Sequence, residues 1–223
     1  MPTQTQAVPS EDAIRRALKD FQVELAAQQI AWIQEYMRIL LFWNDKVNLT
    51  AIRDPTEILY RHFCESIFAA SAVPLEKGRL ADVGSGGGFP GLPLKIARPE
   101  LEVFLIESNV KKATFLAEVV RELGLTDMHI LVSRYQELGE EVAPLNYVCS
   151  RALGEFGSFL NWAAAPQVAA ETAILWVGGR DLDEIRGLPG WDWNESIAIP
   201  QSLRRFLLVG TKKPTAPSAA TSD

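Results

Sequence analysis

The chain is poor in the residues that hold transition metals. Its two cysteines, Cys64 and Cys149, form no Cys-x-x-Cys pair, and its two histidines, His62 and His129, add no ligand set of metal-binding spacing. Zinc sites draw their ligands from just these residues at short spacings, so no metal site is expected. Lone cysteines of this kind are expected to serve as small core residues. No uninterrupted run of about 20 apolar residues is present, so no membrane-spanning helix is expected. The first residues are polar, with no basic stretch leading into an apolar one. That pattern argues against a signal peptide and for a cytoplasmic protein. Positive charge is also scarce: 22 Lys and Arg stand against 28 Asp and Glu, for a formal net charge of −6 and a pI of 5.1. A surface that is basic throughout is thereby excluded, because non-specific affinity for nucleic acid comes from neutralising phosphates. Local basic patches stay open.

With 48% hydrophobic residues among 223, the chain can build one large core, or one domain plus an extension. Residues 1–10 and 214–223 are polar or small and are expected to be loose. Ile14, Leu18, Phe21 and Leu25 recur at helical spacing behind Ser10, a natural N-cap. Ile30, Ile33, Met37, Leu40 and Leu41 make a second apolar stripe, closing near Asn44. A third helix is expected from Pro55, carrying Ile58, Leu59, Phe63 and Ile67. Residues 11–73 therefore read as a helical extension. Over residues 74–213 the pattern changes to short β-type runs, at Leu80–Val83, Val103–Glu107, His129–Val132, Tyr147–Ser150, Thr172–Val177, Ser196–Ile199 and Phe206–Val209. Helical stretches such as Val110–Leu123 and Phe156–Val168 separate most of them, which predicts an α/β domain with a doubly wound, mostly parallel sheet. The last two runs leave no room for a full helix between them, so one is expected to be antiparallel.

The run Leu80-Ala81-Asp82-Val83-Gly84-Ser85-Gly86-Gly87-Gly88-Phe89-Pro90-Gly91 carries the chemistry. An apolar strand meets an acid, then glycines at every second position, then a helix-compatible stretch. Such a turn lies at the carboxyl edge of a parallel sheet, where open α/β folds bind ligands. Glu107 ends the next apolar run, about 20 residues on, where an acid accepts hydrogen bonds from a ribose. A nucleoside-containing cofactor is the expectation. Phe89 occupies the place of the third glycine in a dinucleotide fingerprint, which counts against NAD. The acid before the glycines suits an amino group and a sulfonium better than a pyrophosphate. The Asp82-x-Gly84-x-Gly86-x-Gly88 spacing looks like the first motif of the class I methyltransferases, which use S-adenosyl-L-methionine.

Further segments sharpen this. Trp43-Asn44-Asp45-Lys46-Val47-Asn48-Leu49-Thr50-Ala51-Ile52-Arg53-Asp54-Pro55, Arg61-His62-Phe63-Cys64-Glu65-Ser66, the Asp82–Gly91 loop, Arg98-Pro99-Glu100, Phe115-Leu116 with Glu122-Leu123, and Ser150-Arg151-Ala152 together resemble the ribosomal RNA small subunit methyltransferase G family, also called glucose-inhibited division protein B. The resemblance covers roughly residues 20–213. It implies a class I, Rossmann-like fold with a seven-stranded sheet and an antiparallel edge. It also implies methyl transfer from S-adenosylmethionine to N7 of a guanine in small-subunit (16S) rRNA. The partner implied is that rRNA or a 30S-type particle, the enzyme being a monomer. Three positions depart from the family pattern: Glu65 replaces the usual Asp, Val177 stands before Gly178-Gly179 where a Lys is usual, and Tyr135-Gln136 replace a pair ending in Glu.

By resemblance and position, Gly84, Ser85, Gly86 and Phe89 are expected to line the methionine and ribose side of the cofactor, with Asp82 facing its amino group directly or through water. Glu107, with Ser108 and Asn109 behind it, is expected to take the ribose, and Tyr135 and Gln136 to flank the adenine. Arg151, after the fourth strand, is expected at the cofactor and substrate, and is the residue assigned to substrate positioning. Asn48, Arg53, Arg61 and His62 are candidates for RNA contact, with Lys111, Lys112, Arg204, Arg205, Lys212 and Lys213 as an outer phosphate rim. Guanine N7 carries a free lone pair, so in-line placement matters more than a general base. Neither a Pro-Cys nucleophile nor an Asn/Asp-Pro-Pro-aromatic motif is present. Two other readings stay open on sequence: a small-molecule methyltransferase, and a non-catalytic nucleotide-binding regulator on the same fold.

Overall fold

The structure is a computed structural model and describes residues 7–151 and 154–214. Three helical stretches open the chain. α1 spans Glu11–Asp20 and is capped by Ser10, whose Oγ accepts from the Ala13 N–H at 3.3 Å. α2 spans Ala27–Val47. α3 spans Pro55–Ile58, starting on Asp54, whose carboxylate accepts from the Glu57 N–H at 2.8 Å. A π-helical segment, Leu59–Cys64, follows directly and runs into α4, Glu65–Ala72. The single helix expected from Pro55 is thus three pieces. The wider π turn carries the Glu65 N–H to the Tyr60 carbonyl and shifts the facing of everything after it.

The segments expected to be loose are treated differently by the structure. Residues 1–6 and 215–223 lie outside the described residues. Residues 8–10 are held: Val8 packs on the core and the Pro9 carbonyl accepts from Gln34 Nε2 at 2.9 Å.

The strands are β1 Gly78–Val83, β2 Leu101–Ile106, β3 Met128–Leu131, β4 Tyr147–Arg151, β5 Thr172–Gly178, β6 Trp191–Trp193, β7 Ile197–Ala198 and β8 Arg205–Lys212. The helices between them are α5 Gly91–Ala97, α6 Val110–Leu123, α7 Phe156–Ala164 and α8 Leu182–Arg186, with a 3-10 turn at Tyr135–Glu137. The sheet order is β3-β2-β1-β4-β5-β8-β6, with β7 also on β8. β3, β2, β1, β4 and β5 are parallel, and β8 runs antiparallel to β5. The sheet has eight strands where seven were expected. The addition is β6, in which Trp191 and Trp193 pair with Lys212 and Gly210 on β8.

Alternate residues of each central strand feed two cores. Leu80, Val103, Leu105, Cys149 and Ile174 face the helical extension with α5 and α6. Ala81, Val83, Phe104, Val148 and Ala173 face α7 and α8. Both cysteines are buried core residues, as expected. Ile14 and Leu18 of α1 are fully buried in the first core, each worth roughly 1.5–3 kcal/mol of burial. The extension is therefore part of the main core. Between β1 and β4 the strand order reverses, and the carboxyl ends of β1, β2 and β4 open there.

Candidate active site

The loop after β1 folds back on β2. The N–H groups of Gly84 and Ser85 both donate to the Ile106 carbonyl, at 2.9 and 3.1 Å. Ser85 Oγ donates to the Asp82 carbonyl at 2.9 Å, and the Gly88 and Phe89 N–H groups donate to the Ser85 carbonyl. Two glycines have different reasons to be glycine. Gly88 has φ +87°, and a Cβ there would collide with the Tyr36 hydroxyl and with Leu92. Gly86 has φ +56°, but a Cβ there would meet only the Gly84 carbonyl at 3.7 Å, so it looks out into open space.

Glu107 ties the loop to the next strand end. One carboxylate oxygen accepts from the Gly86 N–H at 2.9 Å and the other from the Asn109 N–H at 2.8 Å. Each oxygen keeps a lone pair, so a diol can still be accepted. Beside it lies a cavity of about 350 Å³, lined by Val83, Gly84, Ile106, Glu107, Ser108, Ser133, Arg134, Tyr135 and Gln136. Seven of the nine lining residues, Gly84, Glu107, Ser108, Tyr135, Gln136 and the strand ends at Val83 and Ile106, come from segments singled out in the sequence. Ser133 and Arg134 were missed. Their signal is positional: they follow β3 at the same carboxyl edge. The Tyr135 ring stands edge-on to Phe159 and Trp162, and its buried hydroxyl has no partner among the described residues. A nucleoside is the kind of group this cavity suits. It offers a buried acid for a ribose, an aromatic wall, an unpaired hydroxyl, and a glycine that leaves room.

Several expected residues are placed elsewhere. Asp82 is fully buried, and its carboxylate accepts from the Gly91 N–H at 2.9 Å, with Cys149 Sγ at 3.8 Å. Burial pushes its pKa up to about 7. Its side chain holds the base of the loop and does not line the cavity beside Glu107. Phe89 was expected on the methionine and ribose side. Its ring is instead sandwiched between Tyr36, at 5.4 Å and 12°, and His62, at 4.8 Å and 21°. An apolar ring at the switch point is drawn into the aromatic core, which leaves only its main chain for a ligand. The Asn109 side chain is occupied as the N-cap of α6, accepting from Lys111 and Lys112. Ser85 is buried under the loop.

The residues of the extension gather around Arg151. Glu65, 3% exposed, receives Arg151 Nη2 on one oxygen at 3.0 Å and Arg205 Nη2 on the other. Trp176 Nε1 donates to the Glu65 carbonyl at 2.7 Å. Burial raises the Glu65 pKa, and the guanidiniums of Arg151, Arg205 and Arg61 oppose that rise. His62 Nε2 meets Thr50 Oγ1 at 2.6 Å. Burial, then the cations Arg151, Arg61 and Arg205, lower the His62 pKa to about 3, so the ring is neutral. Arg151 sits at the end of β4 as expected, yet it faces this cluster and does not line the cavity. Of the RNA candidates, Asn48 ends α2 in the left-handed region and Arg53 pairs with exposed Asp45 at 3.0 Å. Arg61 and His62 stand with Arg151, apart from Arg53. Val177 is buried in the second core, where a lysine would be an unpaired charge. Among the described residues there is no group of three or more metal-ligating side chains.

Known proteins share the fold. A crystal structure described as a SAM dependent methyltransferase from Aquifex aeolicus superposes with a TM-score of 0.57 at 13% identity, covering 74% of this chain and 97% of that one. A ribosomal protein L11 methylase from Lactobacillus delbrueckii subsp. bulgaricus gives 0.54 at 12% identity over 70% and 80%. These show the fold. Sequence relatives go further. The ribosomal RNA small subunit methyltransferase G of Chloroflexus aggregans is 36% identical over 208 residues, 88% of this chain and 87% of that protein. The protein of the same name from Pseudomonas fluorescens is 35% identical over 192 residues, 84% and 88%. The family model described as rRNA small subunit methyltransferase G matches residues 29–190, which take in the helical extension from α2 onward, the glycine loop, Glu107 and Arg151. The chain belongs to the rRNA small subunit methyltransferase G family.

Proposed function

We propose that this chain transfers a methyl group from S-adenosyl-L-methionine to N7 of a guanine in small-subunit (16S) ribosomal RNA, taking either the free RNA or a 30S-type particle as substrate. Family membership names the RNA. The observation that carries the cofactor is Glu107, which is tied to Gly86 at the mouth of a nucleoside-sized cavity. When bound, the cofactor supplies an electrophilic methyl on a sulfonium. Glu107 holds the ribose, Tyr135 and Gln136 stand along the adenine, Gly84 and Gly86 leave room for the backbone-close part, and Arg151 orients the guanine nucleotide from the facing wall. In the Asn48–Arg53 loop the Leu49 carbonyl approaches Gly87, and this loop supplies the outer RNA contacts.

The polar groups near Arg151 suit a reaction that needs no base. His62 is neutral and its Nε2 is taken by Thr50, while the Glu65 carboxylate lies between two guanidiniums. Guanine N7 attacks with its own lone pair, so the protein's task is to place N7 and the methyl in line. Positive charge then develops on the guanine ring, and carbonyl oxygens of the loops stabilise it. An overall charge of −6 is no obstacle, because Arg61, Arg151 and Arg205 gather positive charge locally. Among the described residues no helix is long and apolar enough to cross a membrane. The reading places a monomeric enzyme in the cytoplasm, with its rRNA.

Glu107→Gln tests the cofactor site. It replaces one accepting oxygen with a donor and should weaken S-adenosylhomocysteine binding by roughly 1–3 kcal/mol in titration calorimetry. Unchanged affinity would remove Glu107 from the site, and no binding by the unaltered protein would remove the reading itself.

A further inference from the structure

Three arginines from distant parts of the chain gather near Glu65, and two of them pair with its carboxylate. Arg61 comes from the π-helical segment, Arg151 from the last position of β4, and Arg205 from the first position of β8. β8 is antiparallel to β5, so its first residue lies opposite Gly178, at the carboxyl ends of the parallel strands. That is the edge on which the glycine loop also opens. Glu65 bridges Arg151 and Arg205, and Arg61 turns to the exposed Glu57 at 3.1 Å. Three guanidiniums thus face two carboxylates, which leaves one cation in excess. The neutral ring of His62 adds no charge.

The donors are also in excess. Arg151 Nη1, Arg205 Nε and Arg61 Nε are buried, with no hydrogen-bond partner among the described residues. An unpaired buried N–H on a charged group is costly, and it marks a place where a partner is missing. An oxyanion with several acceptor oxygens is the partner whose chemistry answers both surpluses at once. Taken over the whole side chain, Arg61, Arg151 and Arg205 are 42%, 15% and 27% exposed, so each reaches the surface. None of the three lines the cavity beside Glu107.

We propose that Arg61, Arg151 and Arg205 form a seat for one backbone phosphate of the RNA, next to the nucleotide being methylated, with Glu65 as its internal counter-ion. This rests on the reading of the chain as an rRNA methyltransferase. The seat gives Arg205 a role beyond an outer rim. It also explains the carboxylate at position 65: Glu65 holds two guanidinium forks in place before RNA arrives and keeps the empty seat from being a cluster of bare cations. A phosphate then takes the donors that Glu65 leaves open.

The test is the salt dependence of binding to a small-subunit rRNA transcript, with S-adenosylhomocysteine affinity measured on the same preparations. Removing one phosphate-binding arginine lowers the slope of log K against log salt by about 0.7–0.9. Arg205→Gln and Arg61→Gln should each lower the slope by that amount and weaken RNA binding by about tenfold at low salt. Both should keep cofactor-product affinity within about twofold of the unaltered protein. Arg61 is half exposed, so its variant remains informative if Arg205→Gln does not fold. Glu65→Gln removes the counter-ion and should move the other way, raising the slope and tightening RNA binding, an effect that a merely structural role does not produce. Unchanged slopes in the arginine variants would overturn the seat. So would a loss of S-adenosylhomocysteine affinity, because the anion would then be the cofactor's carboxylate. Methylation of the transcript by the unaltered protein is scored alongside: its absence counts against the enzymatic reading, and its presence with unchanged slopes counts against the seat alone.

Discussion

Tyr36 donates its hydroxyl to the carbonyl oxygen of Gly87, joining the middle of α2 to the middle of the glycine loop. Tyr36 is fully buried, with its ring stacked on Phe89 and Phe63 edge-on to it at 4.9 Å. The helical extension therefore shapes the loop that borders the cavity beside Glu107. Burial pushes the Tyr36 pKa well up, so the hydroxyl stays a donor at any ordinary pH.

Tyr36→Phe keeps the stacking and removes one hydrogen bond, leaving the Gly87 carbonyl without that donor. The expected cost is about 1–3 kcal/mol of stability by denaturant unfolding. Cofactor affinity should fall as well, since the loop loses a fixed point. A variant that matches the unaltered protein in both would show that the extension does not set the loop.

Gly86 and Gly88 should respond differently to alanine. Gly86→Ala projects its methyl into open space, so the fold should survive at a cost of about 1 kcal/mol for the positive φ, with cofactor binding reduced much more. Gly88→Ala drives a methyl into Tyr36 and Leu92, so the stability loss should be the larger of the two. Thermal unfolding and calorimetry on both variants check the order. Equal stability losses with native cofactor affinity for Gly86→Ala would contradict it.

Asp82 should make stability depend on pH. Burial raises its pKa from 3.8 to about 7 in the folded protein, so the folded state holds the proton more tightly than the unfolded chain does. Its contribution is present in full below about pH 4 and is lost as pH rises through 7. Between pH 5 and 7.5 the unaltered protein should lose about 2 kcal/mol relative to Asp82→Asn, whose side chain can still accept from Gly91. Parallel stability profiles for the two proteins over that range would show that Asp82 is ionised throughout.

The parallel strands and the site's carboxyl edge were legible because the periodicity changes sharply after residue 73 and because glycines and acids mark strand ends. Glu107 is such a case: its distance from the glycines places it at the end of β2, and there it stands. What sequence could not convey was the direction of individual side chains. Phe89 and Asp82 lie in the very loop that was recognised, yet one ring goes to the aromatic core and one carboxylate goes under Gly91. Local pattern places a residue in an element, while tertiary packing decides which way it points. The π turn at Leu59–Cys64 was invisible for a related reason, since a one-residue change of helical facing leaves the apolar pattern nearly intact. The Glu65–Arg151–Arg205 cluster joins three segments with no local signal linking them. β6 was hidden by its length, three residues directly after Pro189-Gly190.

The central claim is methyl transfer to guanine N7 in small-subunit rRNA, and the most direct measurement is a map of N7-methylguanine in that RNA from cells with and without the gene. Chemical cleavage at N7-methylguanine, read by primer extension, should reveal one small-subunit guanine that is modified in the parent strain and unmodified in the deletion. The modification should return when the gene is restored, and should not return with the Glu107→Gln version at a cofactor level that saturates only the unaltered enzyme. Identical maps from parent and deletion strains would contradict the account.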